Sequence, residues 1–264
     1  MYQCGHGWHE DPCTIITLQG LDIVSDGSGP VGFSALEGWE GGVAAQGGPE
    51  PWEHADGGVM GAVYYGPRTI TIEGDIDAPS HEEYAELVAE LGAVLSRPRI
   101  DTLVVDETMH LGLVRQVQVT RTRPVQISQV GHRHGIFTLT VEAASHLRED
   151  VDQQSATITT SGVTLSNKGT ADAYPVVSLV GPLTNPAIVW PGGLWQYNLS
   201  VPAGTTLTVE MDRKRVRNLA TTEHSRNNVS GSHNWLALPP GDTLVTRTGA
   251  GSGTITAKWR SAWH

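Results

Sequence analysis

The chain has 264 residues, a formal net charge of −11 at pH 7 and 17% charged residues, with 31 glycines and 15 prolines. That length suffices for two domains, each with its own core. The acidic balance excludes a broad basic surface for nucleic acid or anionic lipid, and no apolar run approaches the roughly 18 residues that cross a bilayer. No basic stretch followed by an apolar core opens the chain, so the expectation is a soluble protein made in the cytoplasm, without membrane insertion.

Only two cysteines are present, so this is no disulfide scaffold. Both lie early, in Cys4-Gly-His-Gly-Trp-His-Glu-Asp-Pro-Cys13. Cys4, His6, His9 and Cys13 are a candidate four-ligand zinc site with sulfur and nitrogen donors. Their spacing matches no established zinc pattern, and free thiols or one small disulfide is the competing reading. No other cofactor is expected.

Thr14 to Leu21 reads as a strand rich in β-branched residues. From Gly38 to Gly61, glycine, proline and acidic residues dominate without any period, which predicts a long loop. Trp39 and Trp52 within it are candidate contacts to a neighbouring subunit. Arg68 to Asp77 alternates, with Ile70, Ile72 and Ile76 inward. It feeds the one convincing helix, predicted over about 80–97. There Tyr84, Leu87, Val88, Leu91 and Leu95 draw a single apolar stripe. Ser80 and Glu83 form a capping box, and Pro98 stops the helix. Thr102 to Asp106, Leu111 to Arg123 and Gly135 to Ala144 are further strands. The first part of the chain, residues 1–148, is therefore an α+β domain with a mainly antiparallel sheet and one helix laid across it.

The polar run between Ser145 and Gln154 has no period and marks the boundary. Residues 149–264 show no helix signal. Ser161-Gly162 reads as a tight hairpin between Ala156–Thr160 and Val163–Ser166. Short strands with turn signals continue to Trp259, which suggests a β-sandwich or jelly roll. Arg213, Lys214 and Arg215 open the only dense positive run. A solvated edge that discourages strand pairing and a salt bridge to an acidic neighbour in an assembly are its two readings.

Several stretches together resemble a family. Arg-Thr-Ile-Thr-Ile-Glu-Gly precedes the one helix, and Leu-Val-Val-Asp-Glu follows it. Later come Ala173-Tyr-Pro-Val-Val-Ser-Leu-Val-Gly-Pro182, Leu207-Thr-Val-Glu-Met-Asp212 and Trp235-Leu-Ala-Leu-Pro-Pro-Gly-Asp-Thr-Leu244. From about residue 14 onward this order is similar to the distal tail proteins of long-tailed, non-contractile phages. The resemblance implies a mainly β chain: an N-terminal, tail-tube-like ring domain followed by a C-terminal galectin-like β-sandwich. It implies a homo-hexameric ring in the virion, joining the tail tube protein to the tip or baseplate hub protein, with the tape-measure protein ending nearby. DNA would only pass through its lumen, and carboxylates lining such a channel would repel phosphate. No catalytic residue comes with the resemblance. The residues agree, showing no nucleophile elbow, no His-Glu-x-x-His and no phosphate-cradling glycine loop.

The rival reading is a carbohydrate-binding module used in attachment. Trp190, Trp195, Tyr197, Trp235, Trp259 and Trp263 offer flat faces for sugar rings, if several stand exposed on one sheet face. The alternative is that they fill a core or a subunit interface.

Overall fold

The computed structural model describes residues 13–25, 27–97, 99–218, 229–230 and 235–264. Cys4, His6, His9 and Pro98 lie outside the described residues. The chain divides into two compact units, Met1–Arg148 with His264, and Glu149–Trp263.

The first unit is built from β1 (Ile15–Leu18), β2 (Leu21–Val24), β3 (Val31–Glu37), β4 (Ala45–Pro51), β5 (Gly58–Tyr65), β6 (Arg68–Asp77), α1 (His81–Ala93), β7 (Asp101–Glu107), α2 (Thr108–Leu111), β8 (Leu113–Arg121), β9 (Gln126–Gln129) and β10 (His134–Ala143). Its main sheet runs β8-β7-β1-β2-β3-β6-β10-β9, and β10 also pairs with β8. Because Val141 faces Arg121 and Ala143 faces Val119, the sheet closes into a barrel. Full closure removes most strand edges. Alternation along each strand sends Ile16, Leu18, Ile70, Ile72, Leu103, Val105, Val117, Leu139 and Val141 into one apolar core.

The barrel has one loose seam. β2 and β3 meet through a single parallel pair, Val24 with Gly32, so β3 beyond that point pairs only with β6. At the other side, among the described residues, β9 pairs only with β10.

Helix α1 buries Tyr84 and Leu91. Ser80 Oγ accepts from the Glu83 amide at 3.2 Å, as the capping box requires. The helix ends at Ala93, earlier than the stripe predicts. Leu95 turns into the left-handed region at φ 50°, and its amide is taken by the Gln19 side chain at 3.0 Å. Leu95 is still buried with the core, so the apolar stripe holds where the helix does not.

The long loop expected over 38–61 is instead a two-stranded arm. Among the described residues, β4 and β5 pair with each other and with no other strand. Periodicity misses it because its glycines bring backbones together rather than filling a core. At Gly47, with φ +90°, an added Cβ would stand 2.2 Å from the Ala62 carbonyl oxygen.

Within β6, Gly74 has a similar task. A Cβ there would meet the Gly32 carbonyl oxygen at 2.0 Å and the Phe137 ring at 2.9 Å. Gly74→Ala should therefore push β3 off β6 and cost about 2 kcal/mol. Urea unfolding checks this, and an unchanged midpoint would contradict it.

The second unit begins as β11 (Arg148–Asp150) leaves the first. Its strands are β12 (Gln154–Thr157), β13 (Val163–Asn167), β14 (Val176–Val180), β15 (Leu183–Trp190), β16 (Gly193–Tyr197), β17 (Ser200–Val201), β18 (Thr206–Glu210), β19 (Arg215–Asn218), β20 (Val229–Ser230), β21 (Gly241–Ala250), β22 (Thr254–Trp259) and β23 (Ala262–Trp263). A five-stranded sheet runs β12-β22-β14-β18-β19, and a six-stranded sheet runs β13-β21-β15-β16-β20 with β17 on β15. Val177, Leu179, Val209 and Ile255 of the first and Leu165, Ile188, Trp195 and Val245 of the second are buried, each on one face of its sheet. This is a two-sheet sandwich. Ser161-Gly162 does not close a hairpin. The Gly162 amide bonds to the Thr159 carbonyl at 3.2 Å, but β12 pairs with β22 and β13 with β21, so the turn carries the chain from one sheet to the other.

Candidate assembly interface

The arm is almost wholly exposed along both strands. Pairing sets Gly47 opposite Val63, Pro49 opposite Met60 and Pro51 opposite Gly58, with a bulge between the first two pairs. One side of the arm therefore carries Ala45, Gly47, Pro49, Pro51, Met60, Val63 and Tyr65, without a charge among them. Met60 is 73% exposed and Trp52, just past β4, 52%. An apolar ribbon held away from its own core is what a subunit contact needs.

The root of the arm is charged and buried. Arg68, two residues past Gly66, donates through Nη1 to the carbonyls of Gly38 at 2.6 Å, Trp39 at 2.8 Å and Gly41 at 3.2 Å. It donates through Nη2 to the His146 carbonyl at 2.9 Å. One guanidinium thus ties the strand leaving the arm to the chain entering it. Two more guanidiniums pack on Trp39, with Arg115 at 5.6 Å and Arg148 at 5.4 Å from its ring centroid. Its indole N–H donates to Glu107 Oε2 at 3.2 Å. The same oxygen accepts from Arg115 Nε at 3.0 Å and from Arg115 Nη2.

Glu40 closes this cluster from the solvent side. Its Oε1 lies 2.5 Å from Arg115 Nη2 and 2.9 Å from Arg148 Nη1, although its side chain is 60% exposed. Burial raises its pKa, but the guanidiniums of Arg148 and Arg115 outweigh that and hold the carboxyl below its usual range. On the other strand of the arm, Tyr65 stacks on His146 with ring centroids 4.9 Å apart, and His264 lies 6.2 Å from His146. Burial pushes the His146 imidazole pKa down, and His264 and Arg68 push it further.

A third feature is a face of one charge. Outward positions of β3, β6 and β10 carry Glu37, Glu73, Asp75, Asp77 and Glu142. No lysine or arginine points outward from these strands or from β9. The face spans β3-β6-β10-β9, between the two incompletely paired edges.

The sequence-derived candidates fare unevenly. Trp39 is only 1% exposed and serves as the pillar of the arm root, so its ring is not offered to another subunit. Trp52 stays open. Arg213 sits between β18 and β19, 3.9 Å from Glu210 and 3.7 Å from Asp212, Lys214 is exposed at a left-handed φ of 51°, and Arg215 begins the edge strand β19 opposite Glu210. Cys13 is buried at the start of the described residues. Cys4, His6 and His9 lie outside the described residues. In the second unit Trp195, Tyr197, Trp259 and Trp263 are buried, and Trp190 and Trp235 are half-buried. The exposed aromatic platform that sugar binding predicts is not formed by these six residues.

Arg68, Arg115, Arg148, Glu40 and Glu107 were not singled out from the sequence. A signal for three of them exists. Arg68 shares its parity with Ile70 and Ile72, Arg115 with Val117 and Val119, and Glu107 with Leu103 and Val105. Charges at the inward phase of apolar strands must pair inside.

No protein-family model matches the chain, and no curated protein matches its sequence. Among solved structures, the crystal structure of the SPP1 Dit (gp 19.1) protein superposes with a TM-score of 0.69. The match covers 95% of this chain and 99% of that one at 13% identity. This chain has the Dit fold. SPP1 Dit is described as a paradigm of the hub adsorption apparatus in phages that infect Gram-positive bacteria. A chain of the phage P2 baseplate in its activated conformation with calcium aligns over 93% of this chain and 97% of its own at 10% identity, with a TM-score of 0.46. The Dit fold accounts for both units at once, the barrel with its single long helix and the sandwich after it. Among the described residues no helix is long and apolar enough to cross a membrane.

Proposed function

We infer that this protein is a structural, non-enzymatic component of a phage tail tip: a distal tail hub whose first unit closes into a homo-hexameric ring. The observation that carries the reading is the Dit fold extending over nearly the whole of both chains. Three features of the first unit support it. The open edge of β3 and the open edge of β9 are complementary in kind, so copies can continue one sheet around a ring. The sheet between those edges is acidic outward, which suits a lumen wall along which DNA slides without sticking. The apolar arm supplies a contact that reaches beyond its own barrel. On this reading the ring joins the tail tube protein to the tip or baseplate hub protein, near the end of the tape-measure protein, in a virion assembled in the host cytoplasm. The sandwich offers a docking surface. Carbohydrate binding is less well supported, because most of the aromatic side chains it would use fill the sandwich core.

The mass of the purified protein in solution tests the ring. Native mass spectrometry or light scattering over a range of concentrations should find a hexamer, or a mixture that moves towards one as concentration rises. A protein that stays monomeric both alone and with its tail tube protein would overturn the proposal.

A further inference from the structure

Both strands of the arm are fastened to one cluster of buried guanidiniums and the carboxylates that pair with them. Arg68, Arg115 and Arg148 are buried, and Glu107 and Glu40 face them. The exposed partner of the set is Glu40, which stands five residues before β4 begins. Next to the cluster, at the far root, Tyr65 rests on His146, whose own carbonyl is held by Arg68. Between the two roots the Gly66 amide reaches the Ala44 carbonyl at 3.5 Å, a long bond that contributes little hold of its own. The direction of the arm is thus set by the Arg68 bonds to the carbonyls of Gly38, Trp39 and Gly41, by the Glu40 bridge and by the Tyr65–His146 stack, and the last two contain a group that titrates.

We propose that this root is a proton-operated latch, which holds the arm fixed at neutral pH and frees it on mild acidification. It deepens the hub reading by naming a regulation of the arm, and it rests on that reading only for its biological use. The charged groups that face His146 are Arg68, His264 and, through the shared cluster, Arg148. The groups that face Glu40 are Arg115 and Arg148, with Glu107 behind them. A proton on His146 adds a further cation beside the Arg68 guanidinium and the His264 ring. The imidazolium then gains by moving away from Arg68 and His264 into water, which outweighs its attraction to the Tyr65 ring.

The sign follows from proton counts. In a released root His146 titrates at its ordinary pKa, about 6.5, while the closed root holds it lower. The closed state binds fewer protons, so it loses stability relative to the open state as pH falls through that range. Glu40 acts in the same direction at lower pH. Its pKa is depressed in the closed root, so its contribution is complete at neutral pH and disappears as pH falls through that depressed value.

Amide hydrogen exchange on the full chain tests the latch, with rates corrected for the intrinsic pH dependence of exchange. Measurements at about pH 7.5 and about pH 5.5 lie on either side of the ordinary histidine pKa of about 6.5. In the wild type, exchange over residues 42–47 and 62–66 should quicken severalfold at the lower pH, the direction that a lowered His146 pKa in the closed root requires. Amides of β6 and β10 should stay protected. His146→Phe keeps the stack on Tyr65 but cannot titrate, and should lose most of the pH response. Glu40→Gln should exchange quickly at both values. A wild-type arm whose exchange does not change with pH would overturn the latch, as would an equal response in His146→Phe. If His146→Phe loses protection in β6 and β10, it has not folded, and Glu40→Gln decides: an arm as slow as the wild type's overturns the proposal. Arm exchange is read within each copy, so a failed latch leaves the ring mass untouched, and a chain that never forms a ring still reports on the latch.

Discussion

Glu107→Ala is expected to destabilise the first unit by about 3–5 kcal/mol, the typical cost of breaking a buried ion pair from one side. Glu107 Oε2 accepts from Trp39 Nε1 at 3.2 Å and from Arg115 Nε at 3.0 Å. Its loss orphans a buried indole N–H and leaves Arg115 with only the exposed Glu40. Arg68 and Arg148 then lie close to an uncompensated third cation. Alanine also cannot refill the space. The paired replacement Glu107→Leu with Arg115→Met should recover most of the loss, because apolar groups of similar volume replace a buried ion pair at little cost. Calorimetric melting checks both, with the transition of the second unit as an internal reference. A loss below about 1 kcal/mol for Glu107→Ala, the scale of an ordinary surface pair, would mean that the cluster is hydrated and contributes little.

This cluster also marks where reading the sequence stops. The alternation in β6 and the stripe on α1 are local, and both are legible because a two-residue or 3.6-residue period needs no distant partner to be seen. Barrel closure is not local. It rests on Val141 meeting Arg121, twenty residues earlier in the chain, and nothing in either strand names the other. The arm is illegible for a different reason. Gly47 and Gly58 are in strands because their bare backbones come close to Ala62 and Glu50 across the ladder, so the usual turn signal carries the opposite meaning here. Trp39 misleads because an aromatic in a glycine-rich stretch looks like surface. Only the long-range arrival of Arg115 and Arg148 over its ring makes it a pillar. Ser161-Gly162 misleads similarly: the turn is real, but which sheet each flanking strand joins is decided by β21 and β22, some eighty or more residues further on.

Met60→Asp combined with Val63→Asp is expected to weaken self-association by about a hundredfold or more, while the melting of each unit stays as it was. Both residues lie on the apolar side of the arm, opposite Pro49 and Gly47, and both are exposed in the single chain. Substitutions at such positions usually move stability by no more than about 0.5 kcal/mol. In a ring, the same carboxylates would be buried against a neighbour. An uncompensated buried ion costs several kcal/mol, and each ~1.4 kcal/mol is tenfold in affinity. Tyr65 is left alone in this test because it belongs to the root, and altering it would mix contact with orientation. Sedimentation velocity across a concentration series separates the outcomes. If the variant assembles as the wild type does, the arm is not a contact between copies, and the open edges of β3 and β9 must carry the ring alone. If it assembles but no longer binds the tail tube protein, the arm reaches along the tail axis rather than around the ring, and the ribbon is complementary to the tube instead.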